Sequence, residues 1–135
     1  MNWKYVKPLK SESNIKEFEE KYSFDFPDSF IEIVKKYNGA RPENDSYDTD
    51  KTKERTIKSL LSFNKDDKET IWKINEWSAE ELGDKYVAFA IDHFGNLICF
   101  SKRDKSIVFI NTDFPEIENI SSNFSDFLDK LYILD

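Results

Sequence analysis

Reactive side chains are scarce in this sequence of 135 residues. Cys99 and His93 are its only cysteine and its only histidine. One cysteine excludes an internal disulfide and a thiolate cluster, and one histidine excludes a zinc site built on two or more histidines. Three glycines leave little from which to build a phosphate-binding loop, and neither a Walker motif nor a G-x-S-x-G motif occurs. These absences predict a protein that is not an enzyme and that uses no cofactor.

Two catalytic alternatives stay open. Asp92 and His93 are adjacent and would form an acid–base pair, but no nucleophile accompanies them, and a role in a turn is the simpler interpretation. A pair of carboxylates acting as acid and base is also compatible with so acidic a sequence, although no spacing singles one out. Cys99 lies within an apolar run and is interpreted as a small buried hydrophobic residue.

Long apolar segments are absent too. No run approaches the ~20 residues that a membrane-spanning helix needs. Residues 1–12 contain no apolar stretch of the kind found in signal peptides. We therefore expect a cytoplasmic protein with no membrane partner.

Negative charge predominates over positive charge. The chain has 27 acidic and 20 basic residues and a formal net charge of -7. Most of the excess lies in residues 111–135, where Lys130 is the single basic side chain. Nucleic-acid binding needs clustered basic residues, so direct binding of nucleic acid is disfavoured. The charge suits a basic protein partner, and plain solubility is the alternative explanation.

The most informative stretch is residues 86–110, which contains three short apolar runs. Two turns separate the runs Tyr86–Ile91, Leu97–Phe100 and Ile107–Ile110. Gly95 and Asn96 adopt positive φ at little cost, which is typical of a tight turn. The pattern predicts an antiparallel meander. Both alternating faces of the runs are apolar, so we expect both faces to be covered.

Helices are predicted on both sides of the meander. The first begins at Asn14 as N-cap and ends near Tyr22, and the second runs from Pro27 to Tyr37 and ends at Asn38-Gly39. A third is predicted over residues 68–82, with Ile71, Ile74 and Trp77 on its apolar face and Trp72 off it. The last begins near Ser122 or Asn123 and ends at Tyr132, with the apolar stripe Phe124, Phe127, Leu128 and Leu131.

The remaining segments are predicted to be an N-terminal arm, a strand and two loops. Residues 1–10 form an edge strand or a docked arm, residues 56–63 a strand beside the meander, and residues 111–119 a turn and loop. Residues 40–55 lack periodicity, which predicts a solvated loop. Asp45, Asp48 and Asp50 in this loop suggest a calcium site, but the required glycine and final glutamate are missing. The whole pattern predicts an α+β fold, with an antiparallel or mixed sheet and a central meander covered by an N-terminal helix pair and a C-terminal helix.

This order of elements resembles the SUKH superfamily, in particular its branch related to the fungal cell-wall assembly regulator. The likeness covers residues 12–132 and supports one SUKH-like domain over residues 1–135. It rests on short motifs: Ile15…Phe18-Glu19, Phe26-Pro27…Phe30, Tyr37-Asn38-Gly39, Asp92…Gly95-Asn96 and Ser125…Phe127-Leu128.

The resemblance implies a bacterial immunity protein that binds and neutralises a cognate polymorphic toxin domain, often a nuclease. We expect the protein itself to be a monomer or a weak homodimer. The alternative is an intracellular adaptor or regulator that binds a cellular protein without catalysis. From charge, we expect the partner to contact acidic side chains of the 40–55 loop and the C-terminal segment, with Tyr47 as an aromatic anchor. The predicted contact residues are Glu43, Asp45, Tyr47, Asp48, Asp50, Asp113, Glu116 and Glu118.

Overall fold

Helices and strands both contribute to the fold, as predicted. The computed structural model describes residues 1–134 and within them has four helices and nine strands. The helices are α1 Ser13–Tyr22, α2 Asp28–Tyr37, α3 Ile71–Leu82 and α4 Phe124–Lys130. The strands are β1 Trp3–Lys4, β2 Arg41–Pro42, β3 Ser46–Tyr47, β4 Arg55–Thr56, β5 Ser59–Leu60, β6 Tyr86–Ile91, β7 Leu97–Ser101, β8 Ile107–Ile110 and β9 Ile117–Ser121. None of these helices is both long and apolar enough to cross a membrane.

The main sheet contains five antiparallel strands in the order β5-β6-β7-β8-β9. The meander β6-β7-β8 has the predicted bounds to within one residue, and Gly95 in its first turn has φ +84°. The prediction of a loop over residues 111–119 is wrong at its end, because Ile117 starts β9 and Val108 pairs with Asn119. Strand β9 is half polar and follows Pro115, so its sequence alone carries little strand signal.

A cluster of phenylalanine rings joins the helices to the sheet. The ring of Phe30 on α2 lies 5.5 Å from Phe89 of β6, 5.3 Å from Phe100 of β7 and 5.2 Å from Phe124 of α4. Phe26 lies 4.8 Å from the same ring. The three pairs that Phe30 forms with Phe89, Phe100 and Phe124 are edge-to-face, which adds to the free energy gained from burying the rings. From Val87 to Ile91, from Leu97 to Phe100 and from Ile107 to Ile110 every residue is buried, so both faces are covered as expected.

The ends of the N-terminal helices depart slightly from prediction. Helix α1 begins one residue before Asn14, with Glu12 at the N-cap position and no side-chain capping bond. Helix α2 begins at Asp28, directly after Pro27. Gly39 follows α2 with φ +68°, in the left-handed region where glycine is least strained. The N-terminal arm docks as β1 against β2, and Trp3 stacks on Tyr37 with ring centroids 5.5 Å apart.

The predicted apolar face of helix α3 is confirmed in part, because Ile71 is buried and Ile74 packs against the core. Its buried residues are Ile71, Asn75 and Ser78, whereas Trp77 is 42% exposed. The Asn75 amide donates to the Ala88 carbonyl at 2.9 Å and accepts from the Ala88 N–H at 2.9 Å. Strand β5 is too short to reach Ala88, so the Asn75 amide supplies the hydrogen bonds that a neighbouring strand would form with this part of β6. Trp72 is half-buried, and its indole N–H donates to the Phe63 carbonyl at 2.9 Å.

Replacing Asn75 with alanine should lower the free energy of unfolding by about 2 kcal/mol, because two buried backbone groups of Ala88 lose their partner. Urea denaturation measures the change. Glu76→Ala is the matched control, since Glu76 is exposed on the same helix and should change stability by less than about 0.5 kcal/mol. Equal effects of the two substitutions would contradict this role of Asn75.

Candidate functional site

The segment of residues 48–55, here called the strap, is bound to the rest of the protein through its acidic side chains. The Tyr132 hydroxyl donates to the Asp48 carboxylate at 2.7 Å, and this bond lowers the pKa of Asp48. The Asp50 N–H donates to the Asn119 carbonyl at 2.9 Å, and the Asp50 carboxylate accepts from the Asn119 N–H at 2.9 Å. The strap therefore lies along strand β9. The prediction of a solvated loop over residues 40–55 missed strands β2 and β3 and the start of β4.

An ion pair anchors the strap to the sheet. The Arg55 guanidinium donates to Glu118 of β9 at 3.0 and 2.9 Å, and Thr49 and Thr52 donate to the same carboxylate at 2.6 and 3.2 Å. The guanidinium also lies 3.7 Å from the centre of the Phe109 ring. The hydrogen bonds from Arg55 hold the pKa of Glu118 below its ordinary value, and the Glu118 side chain is only 8% exposed. Glu118 is thus an internal partner of Arg55, so the expectation that it contacts a partner protein is not supported.

Tyr47 is the second predicted contact residue that the structure places inside the protein. It is 1% exposed, and its ring packs edge-on to Phe127 at 5.9 Å. Burial raises the pKa of its hydroxyl. Strand β3 pairs with β4, and Ser46 forms a bridge with Tyr132, which directs Tyr47 into the core. The prediction that Tyr47 is an exposed anchor is therefore wrong. Its neighbours in the sequence are polar, so the sequence gives no sign that Tyr47 is buried.

Asp45 and Glu43 precede the strap and are half-buried. Asp45 accepts a hydrogen bond from Arg41 at 2.6 Å, and both residues are half-buried. Reversing the charges of Asp45, Asp48 and Asp50 together would therefore break internal contacts as well as any contact with a partner. Of the eight predicted residues, Asp48, Asp50, Asp113 and Glu116 are exposed and form no ion pair within residues 1–134. Asp48 and Asp50 accept internal hydrogen bonds, so Asp113 and Glu116 are the two whose carboxylates are free in the described chain.

Asp113 and Glu116 belong to the β8–β9 turn, which lies beside the β6–β7 turn. The Thr112 N–H donates to the Asn96 side chain at 3.2 Å, and the Thr112 hydroxyl donates to the Gly95 carbonyl at 3.3 Å. The Asp92 carboxylate accepts the N–H groups of Phe94 and Asn96, both at 2.8 Å. These bonds hold the two turns together in defined conformations.

The two joined turns expose apolar side chains. Phe94 is 84% exposed and Phe114 is 71% exposed, and Ile117 at the start of β9 is 37% exposed. We call the set Phe94, Asp113, Phe114, Glu116 and Ile117 the hairpin tip. Exposed aromatic residues next to charged ones are typical of protein-binding surfaces. Neither phenylalanine is among the predicted contact residues, although each lies in a turn, where a large apolar residue has no strand or helix to bury it.

The metal-ligating side chains of the described residues do not cluster. Residues 1–134 hold no group of three or more His, Cys, Asp or Glu side chains that could bind a metal ion. Cys99 is buried, and burial raises the pKa of its thiol, which disfavours the reactive thiolate. His93 is exposed in the turn that Asp92 stabilises.

The exposed phenylalanines beside free carboxylates on this α+β fold are features of a protein-binding surface. The sequence matches the SMI1 / KNR4 family (SUKH-1) over residues 10–130, and the chain belongs to this family. A search of curated proteins finds no match. The family is generally non-catalytic and acts through protein–protein interaction, and membership is consistent with an immunity or regulatory role.

Proposed function

We propose that this protein is a cytoplasmic immunity protein that binds a cognate toxin domain in a stoichiometric complex and that the hairpin tip contacts the toxin. The observation that carries the proposal is the pair Phe94 and Phe114, exposed on two hydrogen-bonded turns beside the free carboxylates of Asp113 and Glu116. Binding energy at interfaces is concentrated in a few aromatic anchors, which the two rings would supply.

Charge supports a basic toxin domain, such as a nuclease, as the partner. The chain has a net charge of -7, and the β8–β9 turn contains Asp113 and Glu116 but no basic residue. Opposite charges accelerate association by roughly 10–10³-fold at low salt. A stable complex needs about 800 Å² of buried surface on each partner, so the tip would form the centre of a larger contact area.

The function is tested by recovering the partner from the native cell with a tagged protein at low and high salt. We expect one protein in a 1:1 complex that dissociates at high salt. Expressed alone, that protein should stop growth, and co-expression of the immunity protein should restore it. Recovery of a non-toxic housekeeping protein in the same ratio would contradict the immunity role and favour an adaptor.

Reversing the two free charges of the tip, Asp113→Lys with Glu116→Lys, should slow association with the toxin domain by about ten-fold at low salt. The salt dependence of the association rate should also become weaker. Stopped-flow fluorescence measures both effects. The control is Glu20→Lys with Asp25→Lys, which changes net charge equally at exposed positions outside the tip. An equal loss in both variants would show that net charge, rather than the tip, attracts the partner.

A further inference from the structure

A groove of about 250 Å³ lies next to the hairpin tip. Its lining includes Tyr5, Lys7, Arg41, Lys58, Glu69 and His93, and we call it the Tyr5 groove. His93 precedes Phe94, so the groove and the tip share one turn. The volume is below the ~300–1,000 Å³ of most small-molecule sites. It is suited to a side chain of a bound protein.

The groove is positively charged, although the chain is acidic. Lys7 forms no ion pair within residues 1–134, while Lys58 pairs with Glu69 at 2.7 Å. Arg41 pairs with Asp45 at 2.6 Å through one N–H, the only hydrogen bond that its guanidinium donates in the described chain. A guanidinium has five N–H donors, so Arg41 retains donors for a further carboxylate.

Tyr5 stands at the groove in an unusual backbone conformation. Its φ is +59°, in the left-handed region that bulky residues rarely adopt, and it is 77% exposed. On one side β1 pairs with β2, and on the other the Lys7 N–H donates to the Asn38 carbonyl at 2.8 Å. These bonds hold the chain in place around Tyr5. An exposed tyrosine on a held backbone is an effective anchor, because binding orders only its two side-chain torsions.

The Lys7 side chain is positioned by Gly39, which also lines the groove. A Cβ atom at Gly39 would lie 3.1 Å from Lys7 Cδ and 3.3 Å from its Cβ. The Lys7 methylenes therefore pack against the bare glycine backbone. Packing of the stem leaves the ammonium at the groove without a carboxylate of its own.

We propose that the Tyr5 groove is a second contact site, which takes an aspartate or glutamate side chain of the bound protein. The identity of that protein rests on the proposed function, but the chemistry of the groove does not. Lys7 and Arg41 would bind the carboxylate, and Tyr5 would cover its aliphatic part. A positive groove beside an acidic tip allows a partner with the matching charge pattern to bind in one orientation only.

The test is an NMR titration of the ¹⁵N-labelled full chain with N-acetyl-glutamate amide. N-acetyl-glutamine amide, which has the same shape without the charge, is the matched probe. We expect saturable shifts of the Tyr5, Gly39 and Ser59 amides with the glutamate compound only. In Lys7→Gln the dissociation constant should rise about five-fold, since one charged contact is lost. Lys16→Gln, at an exposed lysine outside the groove, should leave it unchanged.

Three results would overturn the proposal: shifts that do not saturate, equal shifts with both compounds, or equal behaviour of Lys7→Gln and Lys16→Gln. No partner protein enters the titration, so such a result rejects the groove without affecting the immunity role. Conversely, a toxin-binding assay that fails leaves the result of the titration intact.

Discussion

Replacing Glu118 with alanine is expected to lower the free energy of unfolding by about 3 kcal/mol, the largest effect on stability that we predict. The substitution removes the carboxylate that pairs with the Arg55 guanidinium. The Arg55 side chain is only 24% exposed, so water cannot fully replace that partner. Loss of one partner of a buried ion pair costs about 3–5 kcal/mol because the other charge remains uncompensated. The hydroxyl groups of Thr49 and Thr52 lose their acceptor as well.

Urea denaturation of three variants separates the ion pair from simple truncation. Glu116→Ala removes an exposed carboxylate two residues earlier, in the β8–β9 turn, and should change stability by less than about 0.5 kcal/mol. Arg55→Met with Glu118→Leu removes both charges and should be less destabilising than Glu118→Ala, because no unpaired charge stays behind. A double variant as unstable as Glu118→Ala would contradict this explanation.

The same ion pair predicts how stability depends on pH. Hydrogen bonds from Arg55 lower the pKa of Glu118 in the folded protein below its ordinary value of 4.5. The unfolded chain therefore binds a proton at Glu118 more readily than the folded protein does. The stabilisation is complete above pH 4.5 and is lost as the pH falls through the folded pKa. Below pH 4.5, Glu118→Ala should lose less stability per pH unit than the wild type.

Replacing Phe94 and Phe114 together with alanine is expected to weaken binding of the toxin domain by about 100-fold, the largest functional effect that we predict. Truncation of an aromatic anchor costs about 2 kcal/mol or more at the centre of an interface, and about 1.4 kcal/mol corresponds to a factor of ten. Both rings are mostly exposed in the free protein, so their loss should leave the unfolding free energy within about 0.5 kcal/mol.

Isothermal titration calorimetry measures the affinity, and Trp77→Ala is the matched control. Trp77 is also an exposed aromatic residue, at 42%, but it lies on helix α3 outside the tip. Unchanged affinity in the double phenylalanine variant would exclude the hairpin tip as the contact surface. An equal loss in Trp77→Ala would place the interface elsewhere or extend it well beyond the tip.

The helices and the meander were predictable because their signals are local. Phe124, Phe127 and Leu128 recur at helical spacing within α4, and Asn123 caps this helix through its side chain, which accepts from the Asp126 N–H at 2.8 Å. Gly95 marks the turn between β6 and β7. Helix α3 shows the limit of periodicity. Trp77 has the spacing of a core residue, yet Asn75 takes the buried position because it pairs with Ala88 of another element.

The candidate site was predictable only in part. Charge alone pointed to Asp113 and Glu116, which are free in the structure, but also to Glu118, which Arg55 and two threonines neutralise and bind. An acidic residue has the same weight in a count of charges whether it is solvated or paired. The exposure of Phe94 could not be predicted from residue type either, because a phenylalanine close to apolar runs is ordinarily buried.

The sequence by itself determined the α+β class, the SUKH family, the meander and the absence of a reactive histidine or cysteine cluster, since each depends on residue type and short-range spacing. Only the tertiary structure decided that Tyr47 is buried, that the strap covers β9, and that two turns join through Thr112 to form the tip. The physical reason is distance along the chain. The contacts of Asp50 with Asn119 and of Arg55 with Glu118 join residues more than 60 positions apart, and they form only in the folded sheet. These contacts decide whether a given carboxylate is free to bind a partner.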